Sequence, residues 1–441
     1  MLDRLFGWNK KKDEPAATGP QMNFGRYSDN NKPNEKINKW NDADALFKEK
    51  KYVESIEAFF EYLKDDAAQN VIHERVGNGG RFELFQGSKI VRGTYDDQQL
   101  RAEATLAKMP QPSVPVMRRL LEMNFNLYYG RFALDNERLC MRFDSNLTAA
   151  NPNKLYYGLK ELATKADKQD DLLVQDFTIL QTIDTEHLKD LPQQQKEIKF
   201  GFWTRWIRET LDYSATLDAD KFSGGIAYLL LSLAYRLDYL ISPEGKLMNE
   251  LEKVVEIYFR KDERPAQEKN RDMTEALQKL LAKTKEEVFP FLFTSKYTFA
   301  ITSPQVYKTV ADSISTSNQN LTWYRDNNYP VIAERICEYG FSYCQYTYSL
   351  PRPITEFFQL FMAVNYSDYF AALGIREKYY DAATKQFNPA AVNEKIKQVQ
   401  EKWKAKYVNL DFRFENLRYD SLLNFNLSFT NEIQFLNMEN K

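Results

Sequence analysis

Residues 81–177 constrain this chain more than any other stretch, because their order of elements leaves few folds open. Three strand-like runs come first, Arg81–Phe85, Lys89–Tyr95 and Leu100–Lys108. In the third, Leu100, Ala102, Ala104 and Leu106 alternate with Arg101, Glu103, Thr105 and Ala107, the period-two pattern of a half-buried strand. Gly87 after Gln86 supplies the positive φ of a tight turn between the first two runs. Pro110 and Pro112 stop the third run, and Pro115 suits the first turn of a helix over about 115–127. Met117, Leu120, Leu121, Asn124 and Leu127 recur there at helical spacing and form its expected buried stripe. A hairpin follows, Arg131–Leu134 and Arg138–Phe143, turning at Asp135-Asn136. Asn151 and Asn153 are candidate N-caps of a closing helix over 153–167, which buries Leu155, Leu159, Leu162, Ala163 and Ala166.

The order βββ-α-ββ-α, with Leu120-Leu121-Glu122-Met123-Asn124 leading into Gly130-Arg131-Phe132-Ala133-Leu134-Asp135, resembles the YbjN-like proteins and their type III secretion chaperone-like fold. Leu162-Ala163-Thr164-Lys165-Ala166-Asp167 followed by Asp170-Asp171-Leu172-Leu173 fits that family's last helix. The resemblance covers about residues 40–180 and leaves the C-terminal half outside it. It implies a non-catalytic domain that holds other proteins, often as a dimer, with the helix at 52–64 as the one that opens the fold.

The rest of the chain divides by pattern. Residues 1–38 read as a disordered segment with a short amphipathic start, Leu2, Leu5 and Phe6 ahead of Lys10-Lys11-Lys12. That start is the one place where membrane contact is expected, and a single short segment anchors weakly. Residues 39–180 hold a helical hairpin, similar to one tetratricopeptide unit, and the α+β domain. Residues 181–288 read as helical, with Ile226–Ile241 apolar nearly all round and therefore central. Residues 262–271 read as a charged surface loop. Residues 289–441 form an aromatic-rich helical region. At its end Val408, Leu410, Phe412 and Phe414, then Leu423, Phe425, Leu427 and Phe429, alternate with polar residues and predict a β-hairpin. The expected class is α+β.

Composition narrows the function classes. Lys+Arg is 60 against Asp+Glu 62, so net charge argues against nucleic-acid binding. Two histidines, His73 and His187, at no metal-binding spacing, predict neither a metal site nor histidine acid–base chemistry. Gly77-Asn78-Gly79-Gly80 precedes a strand, where a phosphate cradle needs a helix, and reads as a flexible turn. Asp65-Asp66, Asp96-Asp97 and Asp170-Asp171 read as solvated caps. Cys140, Cys337 and Cys344 are too few for a disulfide framework and read as buried apolar residues in a cytoplasmic protein. No catalytic, cofactor-binding or metal-binding residue is expected.

The aromatic residues of 323–370 form either a groove for a peptide or carbohydrate or an aromatic helical core, and the core is the favoured reading. The function these features point to is a non-enzymatic chaperone or adaptor. It would bury a protein partner's segment on a sheet face or edge, or on the aromatic helices, and a homodimer is compatible with that. The alternative is a structural subunit of a larger multiprotein assembly.

Overall fold

The computed structural model describes residues 22–30 and 32–439. The amphipathic start at residues 1–8 lies outside the described residues. Two helices, α1 (Asn34–Lys48) and α2 (Tyr52–Leu63), open the first unit. They cross closely because Ala43 is small and buried, and the Ser55 hydroxyl donates to its carbonyl at 2.7 Å. The sheet follows as β1 (Val71–Val76), β2 (Gly79–Gln86), β3 (Lys89–Tyr95), β4 (Gln99–Lys108), β5 (Arg131–Asp135) and β6 (Arg138–Asn146). Helix α3 (Val114–Asn124) lies between β4 and β5, and α4 (Pro152–Asp176) follows β6. The strand order is β1-β2-β3-β4-β6-β5, all neighbours antiparallel, with a short β7 (Gln181–Thr182) on the end of β4.

The strands and helices expected over 81–167 are present, and β1 is an addition. Only Val71 of β1 is fully buried, so this edge strand has no alternation for the sequence to show. The Gly77–Gly80 run is its hairpin turn. Gly77 takes φ +58°, and a side chain on Gly79 would collide with the Tyr95 carbonyl.

Helix α4 lies across the inner face of the sheet. Asn151 caps it by accepting from the Lys154 N–H at 2.9 Å, and Pro152 occupies its first turn. Leu155, Leu159, Leu162 and Ala163 meet Leu84, Val91, Ala104 and Met141, all fully buried. The closest approach is at Gly158, where a Cβ would sit 2.5 Å from the Phe143 ring. Gly158→Val is therefore expected to cost about 1–3 kcal/mol by overpacking. A melting curve followed by circular dichroism checks this, and an unchanged midpoint would mean that α4 moves aside freely.

The second unit is helical: α5 (Gln193–Ala215), α6 (Ser223–Arg236), α7 (Gly245–Phe259), α8 (Ala266–Leu281), α9 (Lys285–Val288), α10 (Tyr307–Asp326), α11 (Pro330–Thr347), α12 (Arg352–Asn365), α13 (Ser367–Ala372), α14 (Pro389–Trp403) and α15 (Leu422–Gln434). Helix α6 continues through a π-helical turn, Leu237–Ile241. Residues Ser223–Ile241 are long and apolar enough to cross a bilayer, yet 89% of that window is buried inside the protein, so this is its central core helix. A single hydrophobic core runs from Trp203 to Leu436, so no core boundary falls at 288/289. The aromatic residues of α11 and α12 fill it: Phe341, Phe357, Phe358 and Phe361 are fully buried.

Three expectations fail for physical reasons. The C-terminal hairpin is absent. Ser421 accepts from the Asn424 N–H at 3.2 Å and starts α15. Phe425, Phe429 and Ile433 then form a buried helical stripe, with Asn426 and Thr430 satisfied by Asn365 and Asn318. The alternation at 423–429 coincides with that stripe at two positions. Around 408–414 the chain is extended or turned and joins no ladder. The segment expected to be disordered to residue 38 holds α1 from Asn34, and residues 22–30 lie against both units. The loop expected over 262–271 becomes α8 from Ala266.

Candidate partner-binding face

The outer face of the sheet is open. Register sets two rows of charge across it, Glu83–Arg92–Glu103–Arg142 and Glu74–Arg81–Thr94–Arg101–Asp144. Neighbours of opposite sign pair: Arg81 to Glu74 at 2.6 Å, Arg92 to Glu83 at 3.2 Å and Arg142 to Glu103 at 2.6 Å. Exposed cross-strand pairs of this kind contribute about 0.2–1 kcal/mol each. They line a concavity of about 920 Å³. Because Arg81, Arg92 and Arg142 are paired with carboxylates of the face, it offers a polyanion such as nucleic acid little free positive charge beyond Arg101. One end of the face is roofed, where His187 packs 5.7 Å from the Phe85 ring and Lys296 sits 4.9 Å above it.

Strand β5 ends the sheet, and α3 packs beside it. Helix α3 buries Val116 and Leu120 and leaves Val114, Met117 and Leu121 outside. The expected stripe is thus corrected: of its members Leu120 enters the core and Leu127 packs partly buried against it, while Leu121 is 64% exposed. Phe125 and Tyr128 extend the outer stripe and are 92% and 93% exposed. The loop carrying Tyr128 is anchored. The Glu161 carboxylate of α4 accepts from the N–H groups of Tyr128, Tyr129 and Gly130 at 2.7, 2.6 and 3.3 Å. Two exposed aromatic rings beside a fixed loop and the terminal strand β5, whose Phe132 N–H donates to the Asn124 side chain at 2.8 Å, form a contact surface. The signal in the sequence was an excess: Val114, Val116, Met117, Leu120, Leu121, Met123 and Phe125 are too many apolar residues for one face of an eleven-residue helix.

The residues weighed for chemistry lie apart from one another. His73 stacks on Phe60 at 4.8 Å and its Nε2 meets the Tyr95 hydroxyl at 2.7 Å. His187 Nε2 meets the Gly87 carbonyl at 3.2 Å. Burial lowers the pKa of both rings. The three cysteines are free and buried, and burial raises the Cys140 thiol to about 11. Among the described residues, no group of three or more His, Cys, Asp and Glu side chains could hold a metal ion.

The carboxylate pairs do more than cap. Asp96 does cap a turn, accepting from Gln98 and Gln99 N–H groups at 2.8 Å. Asp65, by contrast, pairs with Arg352 and joins the two units. Asp170 is buried on α4, 3.0 Å from the fully buried Lys89 ammonium and 2.7 Å from the Ser88 hydroxyl. Around it, burial first and the Asp170 charge second raise Asp171 to about 7 and hold Asp167 well above the usual carboxylate range. Glu244 of the second unit is raised to about 7 by burial, against hydrogen bonds from Tyr297 at 2.6 Å and Ser295 at 3.0 Å. These groups sit where the units meet, and the sequence held no sign of it because Lys89 and Asp170 are far apart in the chain.

No protein-family model matches this chain, and no curated protein matches it significantly in sequence.

Proposed function

We propose that the chain is a non-enzymatic, cytoplasmic chaperone or adaptor that holds a segment of a protein partner at the β5 edge of its first unit. The observation that carries this reading is the exposed stripe Val114, Leu121, Phe125 and Tyr128, running from α3 into an anchored loop beside the terminal strand β5, whose Phe132 N–H is held by the Asn124 side chain while its Leu134 end pairs with no further strand. A partner segment pairs its main chain with β5 and lays apolar side chains on α3, so that backbone bonds supply affinity and the stripe supplies selectivity. The paired charges of the outer face flank that edge and disfavour partners of strong single sign. The YbjN-like, type III secretion chaperone-like resemblance of residues 40–180 agrees with such a role.

A second reading is favoured by the same stripe. Phe125 and Tyr128 suit a permanently covered interface in a larger assembly, and a second copy of this chain at the same edge would give a symmetric dimer. Light scattering on the pure chain, with pull-down from its native cytoplasm, separates the cases. Phe125→Ser with Tyr128→Ser is expected to abolish near-stoichiometric co-purification of a partner and to leave the melting point within a few degrees. Partners retained by the double variant would remove α3 and β5 from the function.

A further inference from the structure

Residues 24–30 cross the junction of the two units as an extended strap that joins no helix or sheet. The Phe24 ring lies 5.2 Å from Phe370 and stacks on Tyr239 at 6.2 Å. Gly25 takes φ +69° and donates its N–H to the Tyr239 carbonyl at 2.9 Å. A side chain there would run into the Tyr239 ring. Arg26 then enters a pocket with two carboxylates. Its Nε and Nη2 meet Asp238 at 3.1 and 2.8 Å, its Nη1 meets Glu252 at 3.0 Å, and its guanidinium lies 4.2 Å from the centre of the Tyr346 ring. Burial opposes the Arg26 charge, and Asp238, Tyr346 and Glu252 outweigh it. Further along, Ser28 donates to the Leu350 carbonyl at 2.8 Å and Asn30 Nδ2 to the Ser349 carbonyl at 2.9 Å.

The cleft thus reads an extended chain step by step: an aromatic slot, a step that admits only glycine, a forked carboxylate pocket under a tyrosine, then two main-chain carbonyls. A bidentate carboxylate beneath an aromatic face selects arginine over lysine. The pocket exists without the strap, because Asp238, Glu252 and Tyr346 belong to the π-turn, α7 and α11. Removing the strap would leave the buried Asp238 carboxylate without its cation, while Glu252 keeps Lys168 at 3.2 Å, and this gives the empty cleft an appetite for a guanidinium. A cavity of about 220 Å³ beside Arg26, lined in part by Lys168, Asp171, Asn249 and Glu252, is left unfilled. The strap itself is held by no ladder, and its residues stay partly exposed, the features of a segment that opens locally before the fold does.

We propose that this cleft is a binding site for an extended peptide segment of the form aromatic–Gly–Arg. In the free chain residues 24–30 fill it, and a segment of the same chemistry from another protein exchanges with them. This site is separate from the β5 edge and stands whether or not that edge holds a partner.

The probe is a synthetic peptide of residues 22–32, labelled and titrated into the full-length chain. In the unmodified chain the tethered strap competes at an effective concentration on the order of millimolar, so binding is weak. At saturating peptide, the Gly25–Asn30 amides of the chain are expected to exchange faster with solvent while the helices stay protected. Gly25→Ala in the full-length chain undocks the strap and is expected to tighten peptide binding at least tenfold. A peptide carrying Arg26→Lys is expected to bind that variant at least tenfold more weakly. Equal binding of the lysine peptide would overturn the proposal. So would strap amides that do not change when peptide is added to the unmodified chain, a result that needs no variant to fold.

Discussion

Glu338→Leu is expected to unfold the helical unit in mild urea. The Glu338 side chain is fully buried, and three groups converge on it: one from α6, one from its own helix and one from the junction of α12 and α13. Arg236 of α6 reaches it with Nε and Nη2 at 3.0 and 3.2 Å, Arg335 of α11 pairs one turn back, and the Tyr366 hydroxyl donates at 2.5 Å. The Arg236 guanidinium also lies 4.6 Å from the Tyr366 ring centre. Removing the carboxylate strands the buried Arg236 guanidinium in the core, while Arg335 at the margin keeps the Tyr366 hydroxyl and some access to water. Breaking a buried pair in this way costs about 3–5 kcal/mol, against a total stability of about 5–15 kcal/mol for a typical domain. Urea unfolding followed by tryptophan fluorescence reads the loss directly. A shift worth less than about 1 kcal/mol, the level of an exposed pair, would show that water reaches the network.

The junction between the units is expected to make stability depend on pH in two opposite limbs that meet near pH 7. Glu244 titrates at about 7 in the folded chain because of burial, against roughly 4.3 when unfolded. Between those values the folded chain binds more protons, so its contribution to stability falls as pH rises through that window. Asp171, also raised to about 7, acts with the same sign. Lys199 runs the other way. Its ammonium is buried against the Ile241 carbonyl at 2.5 Å, and burial lowers it to about 7 despite Glu244 nearby. The unfolded lysine titrates at roughly 10.4, so between 7 and that value the unfolded chain binds more protons and stability rises with pH. One pKa unit is worth about 1.4 kcal/mol, which sets ceilings of roughly 4 kcal/mol for Glu244 and roughly 5 kcal/mol for Lys199. The Glu244 ceiling is approached least, since that carboxyl borders the junction cavity. Glu244→Gln is expected to flatten the acid limb, and Lys199→Met the alkaline limb. Unfolding free energies from pH 5 to 9 test both, and a Glu244→Gln curve that stays parallel to the parent between pH 5 and 7 would refute the assignment.

The sheet is legible where β4, β5 and β6 bury one face and expose much of the other, so that alternation survives in the sequence, and where Gln86-Gly87 marks the turn between β2 and β3. Strand β1 is not, because an edge strand with one fully buried residue carries no period. The failure at α15 is instructive in the opposite sense. Phe425 and Phe429 satisfy a period of two and a period of 3.6 at once, and what decides is the cap at Ser421 and the neighbours awaiting Asn426 and Thr430. The outer stripe of α3 is visible as an apolar excess, but periodicity alone places apolar residues inward. The strap carries no periodic signal, because its anchors are one aromatic ring, a glycine, one arginine and small polar residues, the composition of a linker. Its docking sites lie more than two hundred positions away.

That separation has a consequence in time. Ser28 meets Ser349 across 321 positions, and Lys406 donates to the Lys32 carbonyl across 374. A ribosome adding roughly 5–20 residues per second takes roughly 15–60 s to make the strap's last receptor after the strap has emerged. During that interval the first unit has its own core and is able to fold, while the strap can reach the Tyr156 hydroxyl through Asp29 but lacks its receptors in the second unit. Any factor that meets the nascent protein encounters the strap undocked beside a folded first unit, and release of the finished chain closes that opportunity.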